Sequence, residues 1–353
     1  MLPDLPSPSP TPIDRVSPSL ANDLLACELR VGFARDARFS AWRRPSTFSV
    51  LGVAAHRMIE TALRSRALKT DDVSDEFERV WDEVIAEGRQ LLLAAWQPVT
   101  PPPPADWPGY QLTRTRALRR ARRIVATHRS DRVVPADAIS VERWMEPEGS
   151  ILVGRADRVD RCAQGLRVVD VKTGLQQAAP TDEQRRQLLL YAVLVYRTHG
   201  EWPAEIALEG ANGVQQVFEL DAEEALAAEQ EVLEAVDRFN HQVEIDELES
   251  SARPGADRCR HCPYRVVCHP YWQALSPRWE HASVLGSIVA AGESHVELRI
   301  ASPRERASAV ARISDLATSI GSLGTWLAAV DLRRAPGQSG DFVARWSSVL
   351  NEW

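Results

Sequence analysis

The chain has 353 residues, a formal net charge of −7 and a hydrophobic fraction of 44%, an ordinary globular composition that leaves room for one large core or several small ones. It has no apolar run long enough to span a membrane and no secretory signal pattern in its first residues, so we expect a cytoplasmic protein. The acidic net charge restricts any nucleic-acid contact to a local basic patch, and five cysteines indicate metal ligands, a catalytic thiol or buried side chains rather than a disulfide framework.

The first third of the chain is predicted to be helical behind a short leader. Residues 1–16 are rich in proline and serine, so we expect them to be disordered. Ser17 and Pro18 supply the cap and first turn of a helix that we expect to continue to about residue 35, with Cys27 in its apolar stripe. Further helical patterns lie at 51–66, 75–96 and 111–130.

A mixed sheet is predicted in the middle of the chain. Three short segments rich in valine and isoleucine are joined by glycine-containing turns, which is typical of strands; they are 138–146, 150–162 and 165–174. A helix at 182–200 follows, then two strands joined by Asn212-Gly213, a strong hairpin signal, and a helix at 221–243. Helices around a mixed sheet, without an internal repeat, predict an α/β fold.

The tail, residues 278–353, is predicted to be a small β-rich domain. We expect two strands, a strand that continues into a helix, and two more strands, an order compatible with a five-stranded barrel such as an OB-fold. In such a barrel Trp279, Trp326 or Trp346 could stack on unpaired bases, although tryptophans are also ordinary core residues.

Two carboxylates and a lysine on neighbouring predicted strands are the most informative feature. Asp157 lies in GRADRVD, and Asp170 and Lys172 lie in VVDVKTG, where alternate residues of a strand face the same side. Oxygen ligands of this kind bind Mg²⁺ or Mn²⁺, which activates water, and a lysine beside them orients the nucleophile or offsets phosphoryl charge. The alternative is a surface ion pair. The flanking valines, however, indicate a buried strand, where a charged pair is unfavourable unless it has a function or binds a metal ion.

These segments, together with QLLLY on the following helix, resemble the PD-(D/E)xK nucleases of the RecB-like type. The resemblance implies a restriction-endonuclease-like core, which is a mixed central sheet flanked by helices. It also implies that Asp157 and Asp170 are carboxylate ligands of the catalytic metal and that Lys172 is the catalytic lysine. The backbone carbonyl of Val171 would be a further ligand.

Three more residues take a role from the same resemblance. His56, in LGVAAHRMIE, matches a histidine that is a further metal ligand in this family, although a lone histidine is more often structural. Gln187 and Tyr191 match residues that would support the active site or contact DNA. Their spacing of four residues is also ordinary for one face of an amphipathic helix.

Three cysteines near the end of this region, Cys259, Cys262 and Cys268, are spaced like metal ligands and need a fourth, for which Cys27 is the candidate. In the same nuclease class, an N-terminal cysteine and a C-terminal trio similar to CRHCPYRVVC bind a [4Fe–4S] cluster. This variant resembles the Cas4, AddB and Dna2 nucleases, and it implies a cluster that joins the first helix to the end of the nuclease domain.

Zinc is the alternative occupant, bound by four cysteines or by three cysteines and either His261 or His269. One departure from the family pattern is Glu28, which follows the N-terminal cysteine where relatives commonly have proline. Cys162 lies outside the pattern and is predicted to be a packing residue.

The predicted helix 111–130 carries four arginines at i, i+3, i+4 and i+7 spacing, namely Arg116, Arg119, Arg120 and Arg123. Such a stripe on an acidic protein favours contact with a phosphate backbone. The alternative is a solvated helix face paired with nearby acids.

Residues 17–273 are therefore predicted to be a metal-dependent DNA nuclease acting on single strands or DNA ends, in repair, recombination or defence against foreign DNA. The chain has no GxxxxGK[ST] loop, so any helicase would be a separate partner. Two alternatives stay open. One is a catalytically silent nucleic-acid-binding or assembly subunit that keeps the nuclease fold, and the other is a zinc-stabilised domain with a fortuitous Asp-x-Lys.

Overall fold

A computed structural model describes most of the chain, in the ranges 2–43, 45–64, 70–94, 99–130, 139–172, 179–210, 213–276, 279, 282–301, 310–317, 320–335, 341–345 and 348–352. The α-helices in chain order are α1 Pro18–Ala26, α2 Glu28–Arg35, α3 Thr47–Arg64, α4 Thr70–Ala94, α5 Tyr110–Ser130, α6 Asp182–His199, α7 Ala222–Glu244, α8 Ala256–Arg260 and α9 His269–Ala274. The strands are β1 Ile139–Met145, β2 Gly154–Cys162, β3 Gly165–Lys172, β4 Glu205–Gly210, β5 Gln215–Glu219, β6 Ala282–Ala291, β7 Val296–Ile300, β8 Val310–Ser314, β9 Trp326–Arg334, β10 Asp341–Val343 and β11 Val349–Glu352.

The proline-rich leader is packed against the protein, so the prediction of disorder was wrong. Leu5, Ile13 and Val16 are buried in the main core. The backbone of Ile13 forms two hydrogen bonds with the amide of Asn240, at 2.6 and 2.9 Å, and Val16 forms an isolated parallel bridge with Leu152. The apolar side chains between the prolines provide enough buried area to hold an extended segment in place.

The first helix is broken at Cys27, which corrects the prediction of one helix with this cysteine in its apolar stripe. Cys27 has extended backbone angles (φ −166°, ψ 110°) and stands between α1 and α2. Its N–H still donates to Asp23, and its carbonyl still accepts from Val31, so both helix ends retain a backbone partner at the break. Sequence periodicity detects the apolar side of both helices but not a one-residue interruption between them.

The central sheet has the order β1-β2-β3-β4-β5, in which β3 and β4 are parallel and the other neighbours are antiparallel. Helix α6 connects the two parallel strands, as a parallel pair requires. One apolar core includes α1, α2, α6 and α7, and a second includes α3, α4 and α5 with Val171 of β3. The predicted mixed α/β fold with flanking helices is confirmed, and the two aspartates and the lysine of the predicted site lie on the inner strands β2 and β3.

The tail forms a small barrel, as predicted. Strands β6, β7, β8, β10 and β9 pair in a closed ring in which β8 and β10 are parallel, and β11 extends β9. The prediction of a helix after the third barrel strand was wrong for the described residues 315–317 and 320–325, which contain one bend and one short turn and no helix. Asp315, at φ 62°, is in the left-handed region where β8 ends.

The predicted base-stacking tryptophans of the tail are packed where they are described. Trp279 lies against Tyr271, with ring centroids 5.7 Å apart, and Trp326 is partly buried against the main core. Trp346 is outside the described residues. The barrel has an apolar core of its own, and Leu285, Ala328 and Val330, which alternate with its interior residues on β6 and β9, pack into the main core of the preceding region. None of the described helices is long and apolar enough to cross a membrane.

Candidate active site

Asp157 and Asp170 lie next to the last pair of the β2–β3 ladder. That pair is Arg158 with Val169, and each aspartate is the adjoining residue of its strand. At this point the N–H of Val171 donates to Oδ2 of Asp157 at 2.6 Å. The Asp157 side chain thus binds the backbone of the neighbouring strand, which fixes its carboxylate beside Asp170.

Lys172 is held from two sides. Its Nζ lies 2.8 Å from Oδ2 of Asp170 and donates to Oε1 of Gln187 at 2.9 Å, while Nε2 of Gln187 donates to the hydroxyl of Tyr191 at 3.4 Å. Because alternate strand residues share a face, Asp170 and Lys172 both point toward α6, which carries the glutamine and the tyrosine. The start of α6 is fixed by a complete capping box at Thr181.

The Asp170 carboxylate is suited to hold a cation. Only 3% of the residue is exposed, and its Oδ2 is buried without a hydrogen bond that meets normal geometry, although the Lys172 ammonium is close. A buried carboxylate oxygen in this state is unfavourable unless a positive charge compensates it. Carboxylate oxygens are the ligands that Mg²⁺ and Mn²⁺ prefer, so the donor set fits either ion.

These side chains line one open cavity of about 560 Å³. Every residue predicted for the catalytic and metal sets lines it: His56, Asp157, Asp170, Val171, Lys172, Gln187 and Tyr191. Helix α3 brings His56 to this cavity from a position about 100 residues before the aspartates. The sequence motifs therefore identified residues that the fold brings together.

The cavity also has a rim that sequence reasoning did not identify, formed by Ser17, Ser19, Trp144, Gly154, Arg155 and Gln184. Two of these residues had a usable signal. Arg155 is two residues from Asp157 on the same strand and so shares its face, and Trp144 lies on the preceding predicted strand. Ser17 is the cap residue of α1 and Ser19 lies in its first turn, and no strand pattern could have predicted that they line this cavity.

The predicted cluster cysteines, Cys27, Cys259, Cys262 and Cys268, all line a second and much smaller cavity of about 30 Å³. The break at Cys27 brings the N-terminal thiol to this cavity, and α8 with the following turns brings the other three. His261 and His269 are not among the lining residues. Within the described part of the chain, no group of three or more His, Cys, Asp or Glu side chains has the arrangement of a bound metal site.

The thiols of this small cavity are strongly desolvated. Burial raises the pKa of Cys259, raises that of Cys262 to about 11, and raises that of Cys268 well above its ordinary value. The proximity of the other cysteines adds to the increase at each of the three. Four thiols directed at one apolar cavity fit a soft metal or an iron–sulfur cluster, which would bind them as thiolates.

Arg120 does not belong to an exposed arginine stripe, which corrects the prediction for this residue. Its guanidinium forms an ion pair with Glu209 of β4, a side chain that is 0% exposed, and Arg158 binds the same carboxylate at 3.0 Å. Burial alone would raise the pKa of Glu209, but the two arginines hold it below its ordinary value. The helical pattern gave the spacing of Arg120 but could not show that a buried acid lies beside it.

The other three arginines of the stripe keep their solvent access. Arg119 and Arg123 are exposed on α5, and Arg116 is half-buried. Contact of these three with a phosphate backbone stays a prediction.

Comparison with known proteins agrees with the geometry of the first cavity. The profile of the PD-(D/E)XK nuclease superfamily matches residues 15–269, which is more than half of the chain. The chain belongs to the PD-(D/E)XK nuclease superfamily. This membership implies a metal-dependent nuclease that acts on nucleic acid, and it confirms the coarser part of the sequence prediction. A search of curated proteins found no match. In PD-(D/E)XK nucleases the metal is a divalent ion such as Mg²⁺ or Mn²⁺, which is the chemistry that the buried Asp170 carboxylate fits.

Proposed function

We propose that this PD-(D/E)XK nuclease hydrolyses phosphodiester bonds of DNA, with single strands or DNA ends as substrates, in repair, recombination or defence against foreign DNA. The observation that carries the proposal is the buried Asp170 carboxylate, which faces an open cavity beside Asp157 and Lys172. The cavity is open, and burial of a charged pair such as Asp170 and Lys172 is unfavourable unless it has a further role such as binding a metal ion.

Asp157, Asp170, the carbonyl of Val171 and His56 would hold one or two Mg²⁺ or Mn²⁺ ions, which would supply an activated water and a Lewis acid for the phosphoryl group. The Nζ of Lys172, held between Asp170 and Gln187, keeps a positive charge at the cavity where phosphoryl charge develops. Asp157 is fixed by the N–H of Val171, so this carboxylate is oriented before substrate binds.

We further propose that Cys27, Cys259, Cys262 and Cys268 bind a structural [4Fe–4S] cluster, as in RecB-like nucleases of the iron–sulfur type. Their shared apolar cavity supports a soft, thiolate-bound group there. Zinc bound by the same four cysteines is the alternative. Zinc with a histidine ligand is less well supported, because neither His261 nor His269 lines the cavity.

Contact of Arg116, Arg119 and Arg123 with the DNA backbone is part of the same proposal, as is a cytoplasmic location with any helicase as a separate partner. A catalytically silent binding or assembly subunit is the second candidate. It predicts DNA binding that is independent of the Asp170 carboxylate, whereas a nuclease needs this carboxylate for turnover.

The deciding experiment compares cleavage of end-labelled single-stranded DNA by the wild type and by Asp170→Asn, each with Mg²⁺ or Mn²⁺. We expect cleavage by the wild type and a loss of about 100-fold or more in the variant, because a neutral amide no longer balances the metal charge. The matched control is Asp75→Asn, an exposed carboxylate on α4 outside the cavity, which should cleave like the wild type. A folded wild type that binds DNA and cleaves neither single-stranded, duplex nor flapped DNA would support the silent subunit.

A further inference from the structure

Trp144 is an exposed aromatic side chain at the rim of the candidate active site. It lies on β1, the edge strand of the central sheet, and is 55% exposed. The other aromatic residue that lines the cavity, Tyr191, is only 6% exposed. A single exposed apolar side chain is ordinary on a protein surface, and what distinguishes this ring is its position in the lining of the candidate active site.

The indole is fixed in orientation. Its Nε1 donates to Oε2 of Glu146 at 3.1 Å, and Arg15 of the leader forms an ion pair with the same carboxylate. The indole hydrogen bond and the ion pair with Arg15 both keep the pKa of Glu146 below its ordinary value. A ring that is held before its ligand arrives loses less side-chain freedom on binding.

Arg155 is the cross-strand partner of Trp144 in the β1–β2 ladder, so the two side chains share one face of the sheet. Since Asp157 is two residues further along β2, it lies on this face as well. Trp144, the exposed Arg155 and both aspartates line one cavity. An aromatic face and a guanidinium in the same cavity offer contacts to a base and to a phosphate of a nucleic-acid strand.

We propose that Trp144 stacks on an unpaired base of the substrate strand and thereby selects single-stranded over duplex DNA at this active site. The inference rests on the proposed nuclease function and adds a specificity-determining residue to it. A base within a duplex has its faces covered by its neighbours and cannot stack on the indole without leaving the helix, whereas an unpaired base stacks on aromatic rings whatever its identity.

The test uses single-stranded oligonucleotides that contain the fluorescent adenine analogue 2-aminopurine, with Asp170→Asn as the background so that binding is measured without cleavage. We expect quenching of the analogue on binding, and a loss of affinity of about 5- to 150-fold when Trp144→Ala is added. Trp144→Phe should retain most of the affinity. Phe48→Ala removes an exposed aromatic that does not line the cavity and should bind like the background protein.

Cleavage by the otherwise unaltered protein provides the second readout. Trp144→Ala should raise KM for single strands with a smaller effect on kcat, and it should leave the weaker binding of blunt duplex unchanged. Unchanged single-strand affinity and unchanged quenching in Trp144→Ala would overturn the inference. If the wild type does not cleave but Trp144→Ala still weakens single-strand binding, the nuclease proposal fails and the stacking site stands.

Discussion

At the scale of single residues, the position of Lys172 depends on Gln187. Among the described residues, the other partner of the ammonium is Asp170, whose carboxylate is also a proposed metal ligand. Gln187 would keep the lysine in place if Asp170 were also bound to a metal ion. It is therefore a positioning residue for the lysine, acting through a hydrogen bond of 2.9 Å.

We predict that Gln187→Leu lowers kcat for DNA cleavage by about 10- to 100-fold with little change in KM, which is the range for loss of a supporting hydrogen bond behind a metal site. Tyr191→Phe is the matched variant, because it removes only the hydroxyl at the end of the same chain, 3.4 Å from the glutamine. It should have a smaller effect. Steady-state cleavage kinetics with Mn²⁺ measure both, and equal losses in the two variants would contradict a specific role for Gln187.

Site residues could be predicted best from the sequence where residue types suited to metal binding lie at alternate positions of a strand. Asp157, Asp170 and Lys172 were found because their types and spacing are unusual on valine-rich strands. Arg120 was assigned to the wrong environment because its partner, Glu209, is 89 residues away and was expected only as part of a strand. Long-range ion pairs of this kind depend on which face of which strand a helix covers, and a single sequence does not specify that packing.

At the scale of elements, most helices and strands were predictable, and two of the exceptions lie at single residues. The break at Cys27 and the left-handed Asp315 each change the backbone at one position, where periodicity over a turn or more is insensitive. The break has a clear consequence, because it brings an N-terminal thiol to the cavity of the C-terminal cysteines. An uninterrupted helix would have left that thiol in an apolar stripe.

We predict that Cys268→Ser loses the iron and acid-labile sulfide of anaerobically purified protein, together with the absorbance near 400 nm, because three thiolates no longer complete the four-ligand set. Cys162→Ser is the matched control, since Cys162 does not line the cavity, and it should retain both. Metal analysis distinguishes the alternatives. Zinc at one equivalent in colourless wild-type protein would contradict the cluster and leave a four-cysteine zinc site.

At the scale of the whole molecule, the barrel is attached to the cysteine segment by charge as well as by apolar packing. Arg265, between the second and third cysteines of that segment, donates to the carbonyl of Cys262 at 2.9 Å. Its guanidinium also forms two hydrogen bonds with Asp331 of β9, at 3.1 and 2.6 Å. Next to this pair, the buried hydroxyl of Tyr271 donates to Ser283 of β6 at 2.8 Å. The tail was predictable as a barrel, but this contact between two regions was not.

The Arg265–Asp331 pair therefore connects the barrel to the proposed cluster, and Asp331→Asn tests that connection with little change in shape. Asp331 has φ 59°, and asparagine tolerates the left-handed region as well as aspartate does, so the substitution removes the charge without backbone strain. Arg265 stays buried and loses its counter-charge. We expect the free energy of unfolding to fall by about 2 to 4 kcal/mol, less than for a fully buried pair because a third of the Asp331 side chain is exposed. Urea unfolding followed by tryptophan fluorescence measures the change.

Asp315→Asn is the control, because Asp315 has φ 62° and is exposed on the same barrel. Its free energy of unfolding should stay within about 0.5 kcal/mol of that of the wild type. If the barrel is needed to hold the cysteine segment in place, Asp331→Asn should also release the metal bound by the cysteines at a lower urea concentration than Asp315→Asn does. Identical unfolding and identical metal release in the two variants would show that apolar packing alone attaches the barrel.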